Sequence, residues 1–154
     1  MSHTARDAFE IAQRFIGVKE IAGLHDSPIV LAMLQLDQSW PEHDEIAWCS
    51  AFVNFICWLC GLPRTKQLNA RSWLTIGIPV PVDQAEVGDI VVLRRGDNPA
   101  LGHVGFFAGA YLDDQGPPMG AQEMIELLAG NQGNQVSVKA FPASEVVGIR
   151  RLVP

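Results

Sequence analysis

Residues 48–61 read WCSAFVNFICWLCG, and this stretch decides how the rest of the chain is arranged. Its apolar side chains recur at three- and four-residue steps, and Gly61 and Pro63 follow as terminators, so a helix is predicted over residues 48–59. A polar segment that contains one proline, residues 39–45, precedes it and is predicted to be a loop. Cys49 therefore stands in the first turn of the strongest predicted helix.

The two halves of the chain differ in hydrophobic period. Helices are predicted over residues 5–16, from Pro28 through residue 36, and over residues 69–74, and residues 77–86 are predicted to be Pro-rich and extended. After Gly88, short runs rich in Val, Ile and Phe alternate with turn residues and predict strands. Helices first and strands later indicate an α+β fold, with N-terminal helices packed on an antiparallel sheet of about five strands. The predicted strands are residues 90–93, 104–108, 125–128, 135–140 and 146–152.

Composition excludes several classes of protein. The chain has 154 residues, of which 48% are hydrophobic and 18% charged, and this fits a single folded domain over residues 1–154. Its net charge of −6 argues against a nucleic-acid-binding protein, which would normally present a basic face. The N-terminal residues contain no apolar signal-peptide segment, and no run approaches the ~18 apolar residues of a membrane span. We therefore expect a soluble chain made in the cytoplasm, without membrane insertion.

All 3 cysteines lie within residues 49–60. Cys57 and Cys60 have C-x-x-C spacing, but no further metal ligands accompany them, so they are predicted to be buried thiols. Cys49 differs because the N-terminus of a helix carries roughly half a positive charge together with unpaired N–H groups. Both favour thiolate over thiol, which makes Cys49 the candidate nucleophile. The alternative is that Cys49 is one more buried thiol.

His103 is the candidate general base. It lies at the start of a predicted strand between small residues, which allow another part of the chain or a substrate to approach closely. A base on the rim of a sheet, facing a thiol at a helix N-terminus, is the nucleophile–base arrangement used in acyl transfer. His43, in the polar loop before Cys49, is a weaker candidate for the same role.

A third side chain is expected to orient the imidazole of His103. An Asn or Gln after the strand at residues 125–128 can accept a hydrogen bond from the far ring N–H. Asn131 is the first choice and Gln132 the reserve, and the alternative is that this Gly-Asn stretch is only a turn. The backbone N–H of Cys49 is expected to donate to the oxyanion of a tetrahedral intermediate.

Substrate contacts are predicted from residues close to the nucleophile and its partners. Trp48 borders Cys49 and is expected to line the substrate groove, and Glu45 and Gln132 are the further candidates. Glu45 has two alternative roles, as a helix cap or as a solvated acid. Trp58, within the apolar helix, is predicted to belong to the core.

Four segments together resemble the NlpC/P60 and CHAP superfamily: residues 48–53 (WCSAFV), 87–92 (VGDIVV), 102–107 (GHVGFF) and 128–132 (LAGNQ). The chain looks closest to a small single-domain branch found in phage lysins and bacterial proteins, whose G-x-x-E-I-x-G segment corresponds to residues 17–23. This resemblance implies a papain-like α+β fold and cleavage of an amide bond in the stem peptide of peptidoglycan. It makes Cys49 the nucleophile, His103 the general base and Asn131 the orienting residue, and it implies no metal and no cofactor.

The resemblance also implies a partner and a place of action. Peptidoglycan is the expected substrate, reached after release through a holin or secretion machinery, as for a phage endolysin or a delivered antibacterial toxin. Trp48 stands where many NlpC/P60 peptidases have Asp, and Ala129 and Gly130 stand where many CHAP domains have Glu. Endopeptidase and N-acetylmuramoyl-L-alanine amidase activity therefore both stay open. So do a non-catalytic wall-binding or assembly module on the same fold and another Cys–His acyltransferase.

Overall fold

Helices precede strands in the computed structural model, which describes residues 4–19, 28–36, 48–114 and 120–154. This order confirms the predicted α+β class. Within the described residues, no helix is both long enough and apolar enough to cross a membrane. The helices are α1 (Ala5–Gln13), α2 (Pro28–Gln35) and α3 (Cys49–Cys60), with short 3₁₀ helices at Ala70–Thr75, Val82–Gln84 and Ala143–Glu145. The strands are β1 (Ile78–Pro79), β2 (Ile90–Arg94), β3 (Gly102–Asp113), β4 (Gln122–Ala129), β5 (Ser137–Pro142) and β6 (Val146–Arg151).

The described strands form one antiparallel six-stranded sheet in the order β1-β6-β2-β3-β4-β5. All five predicted strands are present. The sixth, β1, pairs Ile78 with Arg151 and lies in the segment that was predicted only to be extended. β3 and β4 also run beyond their predicted ends. They continue as a ribbon in which Tyr111 and Leu112 are exposed, so apolar burial no longer marks the strand there.

Both faces of the central strands are buried. α3 covers one face, where the rings of Phe52 and Phe106 meet edge to face with their centroids 6.2 Å apart. Successive residues of a strand point to opposite faces, so Val91 and Leu93 belong to a second apolar cluster on the other side of the sheet. β2 is therefore apolar at consecutive positions, which is the pattern of a strand covered on both faces. This double burial fixes β2 and the first half of β3 beneath α3.

α3 buries two of its thiols and exposes one of its tryptophans. Cys57 and Cys60 are free and buried, as predicted. The prediction that Trp58 belongs to the core is wrong, because its side chain is 53% exposed. Nearly every position of α3 is apolar, so the hydrophobic period cannot tell which side faces the sheet. The helix ends at Gly61, whose left-handed φ of 66° lets its N–H bond the carbonyl of Trp58.

Gly88 and Asp89 attach β2 to both ends of the chain. A Cβ on Gly88 would lie 2.2 Å from the carbonyl oxygen of Ala5, so only glycine allows α1 to begin there. Asp89 is 1% exposed and accepts two hydrogen bonds from Arg151, Nε to Oδ1 at 2.9 Å and Nη2 to Oδ2 at 2.8 Å. The amide of Glu86 donates a third to Oδ2 at 2.8 Å. The Gly-Asp segment of the chain is thus part of the scaffold.

Replacing Arg151 by Ala should destabilise the protein, because it leaves the buried carboxylate of Asp89 without its cation. We expect the free energy of unfolding to fall by roughly 2–3 kcal/mol. This is less than the loss for a fully buried ion pair, because Arg151 is partly exposed. Urea denaturation of wild type and Arg151→Ala measures this. Arg94→Ala is the matched control, because Arg94 and its partner Glu145 lie at the surface and should matter much less. Equal losses in the two variants would contradict the account.

Candidate active site

Cys49 is the first residue of α3, where the sequence places it. The cap position before it is Trp48, whose side chain makes no capping hydrogen bond to the helix. The Trp48 side chain therefore accepts no hydrogen bond from the first N–H groups of α3. These groups point out of the N-terminal end of the helix, where the sulfur of Cys49 lies. The thiol itself is 1% exposed.

β3 brings the peptide that follows His103 to this sulfur. The amide of Phe107 donates to the carbonyl of Asp89 on the β2 side at 2.7 Å, and neighbouring residues of a strand turn their amides to opposite sides. The amide of Val104 therefore points away from β2. The pairing of β3 with β4 begins only at Phe106, so this ladder does not use the Val104 amide. Instead, the Val104 N–H bonds the thiol of Cys49.

Small residues allow this close approach, as their position beside His103 predicted. A Cβ on Gly105 would lie 2.7 Å from the Cβ of Ala129 at the end of β4. A Cβ on Gly130 would lie 2.7 Å from the ring of Trp48. The start of α3, the start of β3 and the end of β4 therefore meet within van der Waals contact at positions that only glycine can occupy.

Burial controls the protonation of the nucleophile. It raises the pKa of the Cys49 thiol, and the N–H groups of Val104 and Ser50 and the charge of Arg95 offset this only in part. The thiol is therefore protonated at neutral pH in the substrate-free protein. Desolvation of the charged form therefore opposes the thiolate that the helix N-terminus was expected to favour. Any nucleophilic attack by this sulfur would therefore need a base to remove the proton.

Gln132 fixes the tautomer of His103. The Nε2 of His103 lies 3.0 Å from Oε1 of Gln132. The amide nitrogen of Gln132 donates to the carbonyl of Ser137 at 2.7 Å and to that of Leu127 at 3.3 Å, which assigns Oε1 to the histidine. Because Oε1 can only accept, Nε2 of His103 must carry the proton. The lone pair of a neutral His103 is then on Nδ1, where it is available to take a proton.

The orienting residue is thus the reserve candidate, and the prediction for Asn131 is corrected. Asn131 has a φ of 59°, in the left-handed region that suits a turn residue, and it makes the turn after β4 that delivers Gln132 to the imidazole. The side chain of Gln132 is buried and bonded at both ends. Its predicted role in substrate binding therefore gives way to a role in positioning His103.

Two other predicted site residues have different outcomes. Trp48 is fully buried between α3 and the chain after β4, so the prediction that it lines the groove is wrong. Its ring packs against the backbone at Gly130, which directly follows the buried Ala129. Glu45 and the rival base His43 lie outside the described residues, as do residues 39–45 as a whole and residues 20–23 of the N-terminal segment.

A polar network beneath α3 was missed from the sequence. Ser50 donates to the carbonyl of Gln67 at 2.5 Å and accepts from Nε1 of Trp73 at 2.9 Å. Asn54, one turn later, donates to the same carbonyl at 3.1 Å and accepts from the amide of Lys66 at 2.8 Å. These bonds attach the loop before the 3₁₀ helix Ala70–Thr75 to the turn that carries Cys49. Two polar residues four apart in an otherwise apolar helix were the available signal.

Two cations lie near His103. Burial lowers the pKa of the imidazole, the hydrogen bond that His103 donates to Gln132 raises it, and the charges of Arg95 and Lys139 lower it further. His103 is therefore neutral at neutral pH and able to act as a base. Lys139 lies over the ring of Phe141, with Nζ 5.3 Å from the centroid, and that ring is 5.7 Å from the ring of His103. Neither cation was predicted.

Nothing in the described part of the chain resembles a metal centre. No group of three or more His, Cys, Asp or Glu side chains there stands close enough to hold an ion. The site as described offers a thiol, a neutral imidazole with a fixed tautomer, and backbone N–H groups at a helix start. This set can transfer an acyl group through the sulfur.

Substitutions around His103 should move its pKa in opposite directions. Gln132→Met removes a hydrogen bond that raises this pKa and should lower it, whereas Arg95→Gln and Lys139→Gln each remove a charge that lowers it and should raise it. NMR titration of the His103 ring signals, assigned by their absence from His103→Ala, measures both. Asn131→Gly, which suits the positive φ, is the control and should leave the titration unchanged. A shift in Asn131→Gly as large as that in Gln132→Met would return the orienting role to Asn131.

The sequence profile of the CHAP domain matches residues 41–117, which is half of the 154-residue chain. The matched segment includes Cys49 and His103 and ends before Gln132. No curated protein is similar enough to the chain to count as a relative.

Proposed function

Because the chain belongs to the CHAP domain family, we propose that it hydrolyses an amide bond in the stem peptide of peptidoglycan, with Cys49 as nucleophile and His103 as general base. CHAP domains are generally cysteine- and histidine-dependent amidohydrolases or peptidases. The observation that carries the proposal is the contact between the Cys49 thiol and the backbone amide of Val104. Val104 directly follows His103, and Gln132 fixes the tautomer of that histidine. Chain geometry and family membership thus support the same chemistry.

The reaction begins with proton transfer from the thiol. Nδ1 of His103 takes the proton of Cys49 as the sulfur attacks the carbonyl carbon of the amide. Gln132 holds the ring by accepting from Nε2–H, and it favours the imidazolium that forms. The backbone N–H of Cys49 is the first donor to the oxyanion, since it lies at the start of α3 and moves with the nucleophile.

Breakdown of the intermediate completes the cycle. The imidazolium of His103 gives its proton to the leaving nitrogen, the C–N bond breaks, and the acyl group stays on sulfur as a thioester. Water then attacks the thioester with His103 as base, releasing the carboxylate and restoring the thiol. A protonated resting thiol fits this sequence, because the ion pair is needed only once a carbonyl lies beside the sulfur.

The proposal includes the place of action. The substrate lies in the cell wall, so the chain would be released or delivered there through a holin or secretion machinery, as a phage endolysin or an antibacterial toxin is. Both endopeptidase and N-acetylmuramoyl-L-alanine amidase activity fit the thiol and imidazole. No specific observation favours a non-catalytic wall-binding module, because a histidine with a fixed tautomer is useful to a catalytic base. None favours another acyltransferase either, because water is always present as the acceptor.

Digestion of purified sacculi tests this proposal. Wild type should release soluble fragments, whereas Cys49→Ala and His103→Ala should each lose activity by about 10³-fold or more, because neither group can be replaced by solvent. Cys57→Ala, which removes a buried thiol of the same helix, is the matched control and should stay active.

Mass spectrometry of the released fragments names the bond. Free stem peptides mean an amidase, and split stems or cross-links mean an endopeptidase. Release by Cys49→Ala at the wild-type rate would rule out the nucleophile. Release by none of the variants, wild type included, would favour the non-catalytic module, and fragments joined to an added amine would favour the acyltransferase.

A further inference from the structure

Among the described residues, the charges that act on His103 have the opposite sign from the net charge of the protein. The chain carries a net charge of −6, yet the two charged groups of the described residues that act on His103 are the cations Arg95 and Lys139. Arg95 directly follows β2, and Lys139 lies on β5. A positive site on an acidic protein is a local arrangement, and it focuses anions toward the reacting groups.

Arg95 lies on the β2 side of the site. It directly follows β2, whose residues Leu93 and Arg94 pair with His103 and Gly102. Its charge acts on the thiol of Cys49 as well as on His103, so it lies near both reacting groups. Arg94, one residue earlier, is bound by both carboxylate oxygens of Glu145 at 2.7 and 3.0 Å. Arg95 is exposed and has no ion pair with any residue that the structure describes.

Lys139 lies on the β5 side. Its Nζ sits over the ring of Phe141, and this ring in turn lies beside that of His103. The aromatic face holds the ammonium group next to the imidazole without neutralising it. The side chain is exposed, and within the described ranges it too lacks an ion pair. A ligand carboxylate could therefore pair with either cation without displacing an ion pair of the described residues.

The two cations act against the proposed reaction when the site is empty. Both disfavour the imidazolium that forms when His103 takes the proton of Cys49. A bound anion would offset them and so favour the imidazolium only when substrate is present. The groups that stem peptides offer for this purpose are carboxylates, which pair with Arg and Lys through charge-assisted hydrogen bonds.

We propose that Arg95 and Lys139 form a subsite for a free carboxylate of the substrate, close to the bond that is cut. The inference rests on the proposed hydrolase function and adds a substrate class to it: stem peptides whose carboxyl group at this position is not amidated. Walls in which that carboxyl group is a carboxamide should be poor substrates.

Matched substrates test the subsite. The probe is a synthetic cross-linked muropeptide dimer, which contains the amide bonds open to either activity, together with analogues in which each carboxylate in turn is a carboxamide. For one of these analogues, wild-type kcat/KM should fall by roughly tenfold relative to the parent. This preference should weaken as the salt concentration rises.

Enzyme variants then couple the preference to the two cations. In Arg95→Gln and in Lys139→Gln, the ratio of kcat/KM for parent and amidated substrate should shrink by about threefold or more, because one partner of the pair is gone. Arg94→Gln is the matched control: it removes a neighbouring cation already paired with Glu145 and should keep the full ratio. A change in the pKa of His103 alters kcat/KM for the parent and the amidated substrate alike, so it leaves their ratio unchanged. A change in this ratio therefore reports a lost contact with the substrate.

The outcomes distinguish the two proposals. Equal cleavage of all analogues by wild type overturns the subsite and leaves the hydrolase function standing. An unchanged ratio in Arg95→Gln and Lys139→Gln, or an equal loss in Arg94→Gln, also overturns it. Cleavage of no analogue and no parent by wild type overturns the hydrolase function, and the subsite with it.

Discussion

The structure depends on one close contact, between the first residue of α3 and the first residues of β3. The sulfur of Cys49 can meet the Val104 amide only because β4 has not yet joined β3 at that level, which leaves this amide without a strand partner. Glycine at residues 105 and 130 keeps side chains out of the junction. The two apolar faces of the sheet then fix β2 and β3 in place beneath α3. Packing thus holds Cys49 against the residue that follows His103, although the two come from distant parts of the chain.

Polar interactions serve this junction from three sides. Asp89 and Arg151 hold β2 against β6, and Ser50 and Asn54 attach the loop before the 3₁₀ helix Ala70–Thr75 to the start of α3. Gln132 closes the third side, bonded to carbonyls of β4 and β5 through its nitrogen and to His103 through its oxygen. All of these groups are bonded, and all except the partly exposed Arg151 are buried. A buried polar group that is bonded specifies geometry rather than destabilising the fold.

Much of this could be predicted from local sequence, and the failures have physical reasons. α3, its end at Gly61 and the position of Cys49 follow from period and terminators, which are local. The choice between Asn131 and Gln132 depends on the direction of the turn after β4. The left-handed φ of Asn131 sets this direction, and Gln132 then reaches His103. The predictions for Trp48 and Trp58 were wrong because nearly every position around them is apolar, so the period that indicates the helix does not identify its buried side. Arg95 and Lys139 both act on His103 because of the order of the strands in the sheet, and local sequence patterns do not contain that order.

The central claim is that His103 draws the proton from a buried, protonated Cys49 when a carbonyl lies beside the sulfur. The most direct measurement is the rate at which a stem peptide with a chloroacetyl group alkylates the protein, mapped to individual thiols by mass spectrometry. The account predicts that Cys49 alone is modified in wild type, with Cys57 and Cys60 protected, and that His103→Ala slows the reaction by about 10²-fold or more. Modification at the same rate in His103→Ala, or of Cys57 and Cys60 in preference to Cys49, would contradict it.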